Sequence, residues 1–128
     1  MKSHNNTDIA LLLVRVGLAL VFMAHGWDKV SAMEGTIGFF SSIGLPAVMA
    51  YIVAYVELLG GIAMLLGVFT GWAGILLAVT MLGAIGKVKL NMGFVGGYEF
   101  DLMLFLAAIA ISLAGPGKYG IRLLFKKA

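Results

Sequence analysis

Four long apolar stretches, separated by short polar or glycine-rich segments, make up most of the chain. An α-helix needs about 17–25 predominantly apolar residues to cross the hydrocarbon of a bilayer. The third stretch is the shortest and can be completed if the Lys87 side chain extends toward the membrane surface. The pattern predicts an all-α, polytopic membrane protein, a four-helix bundle forming one domain over residues 1–128, with spans at about residues 8–28, 46–69, 71–87 and 98–114.

The segment between the first two spans is amphipathic but short. Residues 34–43 are too few to cross a bilayer and are interrupted by Gly35 and Gly38. Their isoleucine and phenylalanine side chains can share one side of a helix, so we expect a short helix lying at the membrane interface. Pro46 follows, and proline suits the first turn of the next span.

Composition supports a membrane protein and narrows its chemistry. Of the 128 residues, 62% are hydrophobic and only 12% are charged, and the mean hydropathy is +1.06. A soluble domain of this size does not show such values. There is no cysteine, which excludes disulfides, thiolate metal sites and dithiol redox exchange within the chain. The sequence has no P-loop, no H-E-x-x-H and no G-x-G-x-x-G unit after a strand, so nucleotide chemistry of the soluble type is not indicated.

Basic residues are distributed unevenly along the chain. The formal net charge is +3, and most of the excess lies in a tail, residues 115–128, that suits an anionic membrane surface better than a nucleic acid. Four spans place both termini on one side, which carries five Lys and Arg residues against three on the other. The positive-inside rule then predicts cytoplasmic termini in a bacterial-type cytoplasmic membrane.

One carboxylate, Glu57, lies near the middle of the second span. On insertion scales an aspartate at that depth costs roughly +2.5 to +3.5 kcal/mol unless a partner or water meets it. At a rise of about 1.5 Å per residue, the Cα atoms of Arg15 and Glu57 lie roughly 10 and 18 Å from the cytoplasmic side. An extended arginine side chain spans that difference, so the sequence predicts an intramembrane Arg15–Glu57 ion pair. Whether the pair is functional or only fixes the helix register is left open.

Other polar residues are expected near the outer ends of the spans. Arg15 and Lys29 share one stripe of the first helix, with His25 beside it. Glu99 and Asp101 cannot point the same way on a helix because they are two residues apart, and Glu99 is predicted to face the bundle interior. The candidate catalytic residues are Glu57, Arg15 and His25, the candidate substrate- or cofactor-binding residues are Glu99, Lys29, Tyr98, Gly60 and Gly61, and no metal ligand is predicted.

The assembled motifs resemble the DoxX family of small four-helix membrane proteins over residues 11–118. The resemblance rests on Arg15, His25-Gly26 with Lys29, Phe39-Phe40, Gly44-Leu45-Pro46, Glu57-Leu58-Leu59-Gly60-Gly61 and Gly97-Tyr98-Glu99. It implies quinone-linked redox roles, in thiosulfate:quinone oxidoreductase or terminal quinol oxidase complexes, or in oxidative-stress complexes with superoxide dismutase and a sulfurtransferase. Many relatives carry a histidine after the third span, where this chain has Lys87 and Lys89, so a metal or haem role does not transfer.

Three functions are compatible with these observations. The favoured one is a subunit of a quinone-dependent oxidoreductase, in which Glu57 exchanges protons, Arg15 is its charge partner, and His25 or Glu99 is the outer relay. A non-enzymatic scaffold for soluble redox enzymes is the alternative, and a small proton-coupled transporter is less favoured. Quinone is the expected cofactor; haem is not expected, since one well-placed histidine cannot supply two axial ligands. The expected partners are the lipid bilayer and proteins of a redox complex, with a homo-oligomer left open and no nucleic acid.

Overall fold

In the computed structural model, residues 2–121 are described, with side chains from residue 4 onward. This part of the chain is all-helical, and four of its helices are long and apolar enough to cross a membrane, which confirms the predicted fold class. The five α-helices are α1 (Lys2–Ser31), α2 (Met33–Ser42), α3 (Ala47–Leu66), α4 (Thr70–Ala84) and α5 (Glu99–Ala114). Half of the predicted basic tail, residues 122–128, lies outside the described residues.

The connection between α4 and α5 is more ordered than the predicted glycine-rich loop. A π-type turn, Ile85–Lys89, and a 3₁₀ turn, Leu90–Met92, continue α4, so the third apolar helix runs on to Met92. The next turn, Phe94–Tyr98, is kinked, because Gly96 has a φ of 75°. Lys87 and Lys89 therefore lie on helical turns that face the bundle, instead of in an open loop.

α1 and α3 run antiparallel in close contact, and glycine sets their separation. A Cβ added to Gly26 would lie 2.7 Å from the Cα of Leu58, and one added to Gly61 would lie 2.8 Å from the backbone nitrogen of Met23. Neither distance is compatible with a side chain, and membrane helices use small residues for this purpose. This packing fixes which residues of α1 and α3 lie at the same level.

The start of α1 and the segment after α5 lie together at one end of the bundle, which we call the terminal end; α2 and residues 85–98 lie at the opposite, distal end. The buried core between the ends comes from α1, α3, α4 and α5, with Phe22, Met64, Leu77 and Ile111 among its largest enclosed side chains. α2 is the short helix predicted between the first two spans, and it packs Phe40 inward. It covers part of the distal end, where the polar residues gather.

Candidate functional site

Arg15 is fully enclosed and binds backbone carbonyls. Its guanidinium donates to the carbonyl oxygens of Met64 at 2.9 Å, Leu65 at 3.0 Å and Pro116 at 2.8 Å. The first two belong to the last turn of α3, where carbonyls lack partners within the helix and a positive charge is favourable. Arg15 therefore joins the C-terminal end of α3 to the segment after α5, at the terminal end. The predicted Arg15–Glu57 pair is wrong.

Glu57 instead forms an ion pair with Lys29. The Lys29 Nζ lies 2.9 Å from Glu57 Oε2, with 27% of the lysine side chain and 4% of the glutamate side chain exposed. The buried carboxylate thus has its charge partner on α1, as predicted, but that partner comes from the distal end of the helix.

Helix register explains this change of partner, and the direction of the Cα–Cβ bonds adds to it. Gly26 lies against Leu58 and Gly61 against Met23, so the Glu57 Cα is about level with Trp27, roughly 18 Å along α1 from Arg15. In an α-helix the Cα–Cβ bonds lean toward the N-terminus. On α1 they carry Arg15 toward the terminal end and Lys29 inward from the distal end. On the antiparallel α3 they carry Glu57 toward the distal end. The predicted depths put the Arg15 and Glu57 Cα atoms about 8 Å apart along the membrane normal, whereas the register puts them about 18 Å apart. Lys29 is then the basic residue of α1 within reach of Glu57.

A second ion pair links the turn after α4 to the start of α5. Lys89 Nζ lies 2.9 Å from Asp101 Oδ1, with 33% and 6% of the two side chains exposed. Asp101 stands in the first turn of α5, where the helix N-terminus favours an acidic group. Its other oxygen, Oδ2, is completely enclosed and has no hydrogen-bond partner among the described residues.

Glu99, chosen from the sequence as the inward-facing acid, turns to the loop instead. Its Oε1 accepts a hydrogen bond from the backbone N–H of Gly96 at 3.2 Å. The prediction that Glu99, and not Asp101, faces the bundle interior is therefore wrong. The kink at Gly96 turns its backbone N–H toward the start of α5, where Glu99 accepts the hydrogen bond. Asp101, two residues further along α5, is the acid that is buried. Tyr98 belongs to the same turn and stacks edge-on with Phe94, with ring centroids 5.5 Å apart.

Both ion pairs line one cavity of about 570 Å³ between the helices. A volume of this size is typical of small-molecule sites. Apolar and aromatic side chains from α1 to α5 make up most of the wall, among them Phe22, Phe40 and Phe100. The ionisable residues in the wall are His25, Lys29, Glu57, Lys87, Lys89 and Asp101. The cavity therefore suits a largely apolar molecule that carries a few polar groups.

An open surface groove of about 310 Å³, lined by the end of α1 and by α2, adjoins the cavity. His25, Lys29, Phe39 and Phe40 line both the cavity and the groove. The groove adds polar side chains from Asp28 and Thr36. His25 and Lys29 thus stand between the apolar chamber and a more polar space at the distal end.

The structure gathers only part of the predicted site. Glu57, Lys29 and His25 line the large cavity, whereas Arg15, Glu99, Tyr98, Gly60 and Gly61 do not. Gly60 and Gly61 serve helix packing: a Cβ on Gly60 would meet the Leu77 side chain at 2.9 Å.

Sequence reasoning missed the Lys89–Asp101 pair. The sequence feature that indicates this pair is an acidic residue, Asp101, in the first turn of an apolar span, 12 residues after Lys89. Within residues 4–121 no group of three or more His, Asp or Glu side chains could hold a metal ion.

The fold and the cavity together define a class: a four-span helical membrane protein with an apolar chamber flanked by two lysine–carboxylate pairs. The DoxX family model matches residues 10–90, and the chain belongs to the DoxX family. This confirms the resemblance seen in the sequence.

Several curated relatives cover most of the chain. It is 47% identical over 112 residues to the "Putative oxidoreductase CatD" of Bacillus subtilis (strain 168), covering 88% of this chain and 84% of the relative. It is 30% identical to the inner membrane protein YqjF of Escherichia coli (strain K12), covering 94% and 95%, and 32% identical to the uncharacterized membrane protein Rv3486 of Mycobacterium tuberculosis (strain ATCC 25618 / H37Rv), covering 98% and 87%. No solved structure matches the chain significantly.

Proposed function

We propose that this protein is the quinone-binding membrane subunit of an oxidoreductase, and that the large cavity is the quinone site. The observation that carries the proposal is the cavity itself, an apolar chamber of about 570 Å³ with charged pairs from two sides of the bundle in its wall. The relative named as an oxidoreductase supports a redox role.

The lining residues fit a quinone. Phenylalanines in the wall suit an aromatic ring and the aliphatic residues suit a prenyl tail, while polar groups within such a wall fix orientation. Conversion between quinone and quinol transfers two electrons and two protons. The 128 residues contain no cysteine, so the electrons come from a bound cofactor or a partner redox protein.

Glu57 is the proton-holding group in this proposal. It is 3% exposed, paired with Lys29, and in the wall of the large cavity. Lys29 and His25 also line the surface groove, so they lie where a proton could pass between Glu57 and the distal surface. Arg15, which the sequence placed in the site, has a structural role instead.

The proposal also includes an orientation: cytoplasmic termini in a bacterial-type cytoplasmic membrane. The basis is the excess of Lys and Arg on the terminal side of the chain. The cavity and both ion pairs then lie in the outer half of the bilayer, and the protein partners that supply electrons reach the site from within the membrane or from its outer face.

Purification in mild detergent, followed by extraction and mass spectrometry of bound lipids, tests the proposal. We expect close to one quinone per chain in the wild type and loss of it in Ala84→Phe, which projects an aromatic ring into the cavity. Ala110→Phe is the matched control, because Ala110 is exposed on α5 and does not line the cavity, and it should keep the quinone. Retention of quinone by Ala84→Phe would rule out this cavity. Absence of quinone from the wild type, together with no binding of added quinone, would favour the scaffold alternative.

A further inference from the structure

Asp101 carries the feature of the cavity that the proposed function does not use. Its Oδ1 accepts from Lys89 at 2.9 Å, but its Oδ2 is wholly enclosed and has no partner in the described part of the chain. The residue is 4% exposed and lies in the wall of the large cavity. A buried polar atom without a partner is costly. Asp101 lines the chamber, so a donor on a bound molecule would supply the missing partner once a small turn of the carboxylate uncovers Oδ2.

Pairing with Lys89 determines what Asp101 can recognise. Lys89 Nζ and Asp101 Oδ1 form an ion pair at 2.9 Å, in which the carboxylate accepts and the ammonium donates. An ionised carboxylate only accepts hydrogen bonds. Oδ2 therefore needs a hydroxyl or N–H group on the ligand, and a carbonyl oxygen placed beside it would be repelled.

The two redox forms of a quinone differ in this respect. The oxidised form presents two carbonyl oxygens, which only accept, whereas the reduced form presents two hydroxyls, which donate and accept. A hydroxyl can donate to Asp101 Oδ2 and still accept from a lysine ammonium, which keeps spare N–H groups when one is used by a carboxylate. Only the reduced form can donate a hydrogen bond to Asp101 and accept one from a lysine at the same time.

We propose that Asp101 makes the cavity selective for the hydroxyl-bearing, reduced form of its ligand, a quinol, through a hydrogen bond to Oδ2. The inference rests on the proposed function and adds to it a residue outside the part of the chain that matches the family model. Because tighter binding of the reduced form raises the reduction potential of the bound quinone–quinol couple, the site favours reduction of a bound quinone by electrons from the partner.

Affinities of both redox forms for the detergent-solubilised full chain test this inference. The probe is a benzoquinone with a decyl tail, oxidised or reduced with dithionite under anaerobic conditions, and binding is measured by ultrafiltration. A hydrogen bond to a charged group corresponds to roughly a tenfold to hundredfold affinity difference, so the quinol should bind that much more tightly. In Asp101→Asn the amide oxygen can stay with Lys89 and the NH₂ group faces the cavity as a donor. That variant should lose the preference or reverse it, whereas Asp28→Asn, the same change at an exposed residue that does not line the large cavity, should keep it.

A measurement on the wild type alone covers the case in which Asp101→Asn does not fold. The dimethyl ether of the same quinol has the shape of the quinol but no hydroxyl donor, and we expect it to bind as weakly as the quinone. Equal affinity of the wild type for quinol, quinone and ether would overturn the role of Asp101 while leaving the quinone site in place. Binding of none of the three would overturn the proposed function itself.

Discussion

The Lys29–Glu57 ion pair, found where the sequence predicted an Arg15–Glu57 pair, gives the most quantitative prediction. Lys29→Met keeps the length of the side chain and leaves the Glu57 carboxylate unpaired while it is only 4% exposed. At 2.9 Å the Coulomb attraction is about 6 kcal/mol at an effective dielectric constant of about 20. Because 27% of the lysine side chain is exposed, and because desolvation offsets part of the attraction, the net coupling should be roughly 1–3 kcal/mol.

A double-mutant cycle measures that coupling. Lys29→Met should lower the free energy of unfolding by about 3 kcal/mol, and Glu57→Gln by about 1–2 kcal/mol, because the freed ammonium can turn toward water. The Lys29→Met/Glu57→Gln double variant should be more stable than the sum of these losses predicts, by the coupling energy. Unfolding by SDS in mixed micelles, followed by far-UV circular dichroism, gives the values.

The same cycle with Arg15→Met in place of Lys29→Met is the control. Arg15 shares no partner with Glu57, so the two changes should add within about 0.5 kcal/mol. Coupling between Arg15 and Glu57, with additivity between Lys29 and Glu57, would refute the geometric reasoning and restore the original prediction.

Three further outcomes follow from the structure. Arg15→Met should destabilise the protein by about 2–5 kcal/mol, because three carbonyls lose their donor, yet the folded fraction should bind quinone normally, as measured by ultrafiltration. Gly61→Ala should cost roughly 1–3 kcal/mol in the same unfolding assay because its Cβ would strike backbone, whereas Gly17→Ala, with nothing within 4 Å, should gain about 0.5–1 kcal/mol; equal effects would contradict the packing of α1 on α3. Since the chain has no cysteine, Asn91→Cys should react with an impermeant maleimide in intact cells and Asn6→Cys should not; the reverse pattern would invert the proposed orientation.

The architecture could be predicted because length and apolar composition are enough to identify each membrane span. In a chain this hydrophobic, apolar runs of about 17–25 residues bounded by glycine and proline have few possible structures other than membrane-spanning helices. The turns after α4 were harder: Lys87 and Lys89 mark a membrane surface in the sequence, and only packing shows that the helix continues past them to Met92.

The polar site was only partly predictable, for physical reasons. The cost of burying Glu57 predicted a basic partner, and the predicted depths selected Arg15 because they assumed that the ends of α1 and α3 are level. Helix register, set by the contacts of Gly26 and Gly61, instead puts Lys29 beside Glu57. Asp101 was considered and passed over for Glu99, because the hydrogen bond that turns Glu99 toward Gly96 depends on a kink that the sequence does not show.

Photolabelling with an azido-benzoquinone that carries a decyl tail, followed by peptide mapping of the membrane-embedded protein, tests the central claim most directly. The claim is that a quinone occupies the chamber between the Lys29–Glu57 and Lys89–Asp101 pairs. The label should appear within residues 53–57, 80–84 and 100–104, should be displaced by unmodified quinol, and should be lost in Ala84→Phe but not in Ala110→Phe. Labelling confined to lipid-facing positions, or labelling that Ala84→Phe leaves unchanged, would contradict the claim.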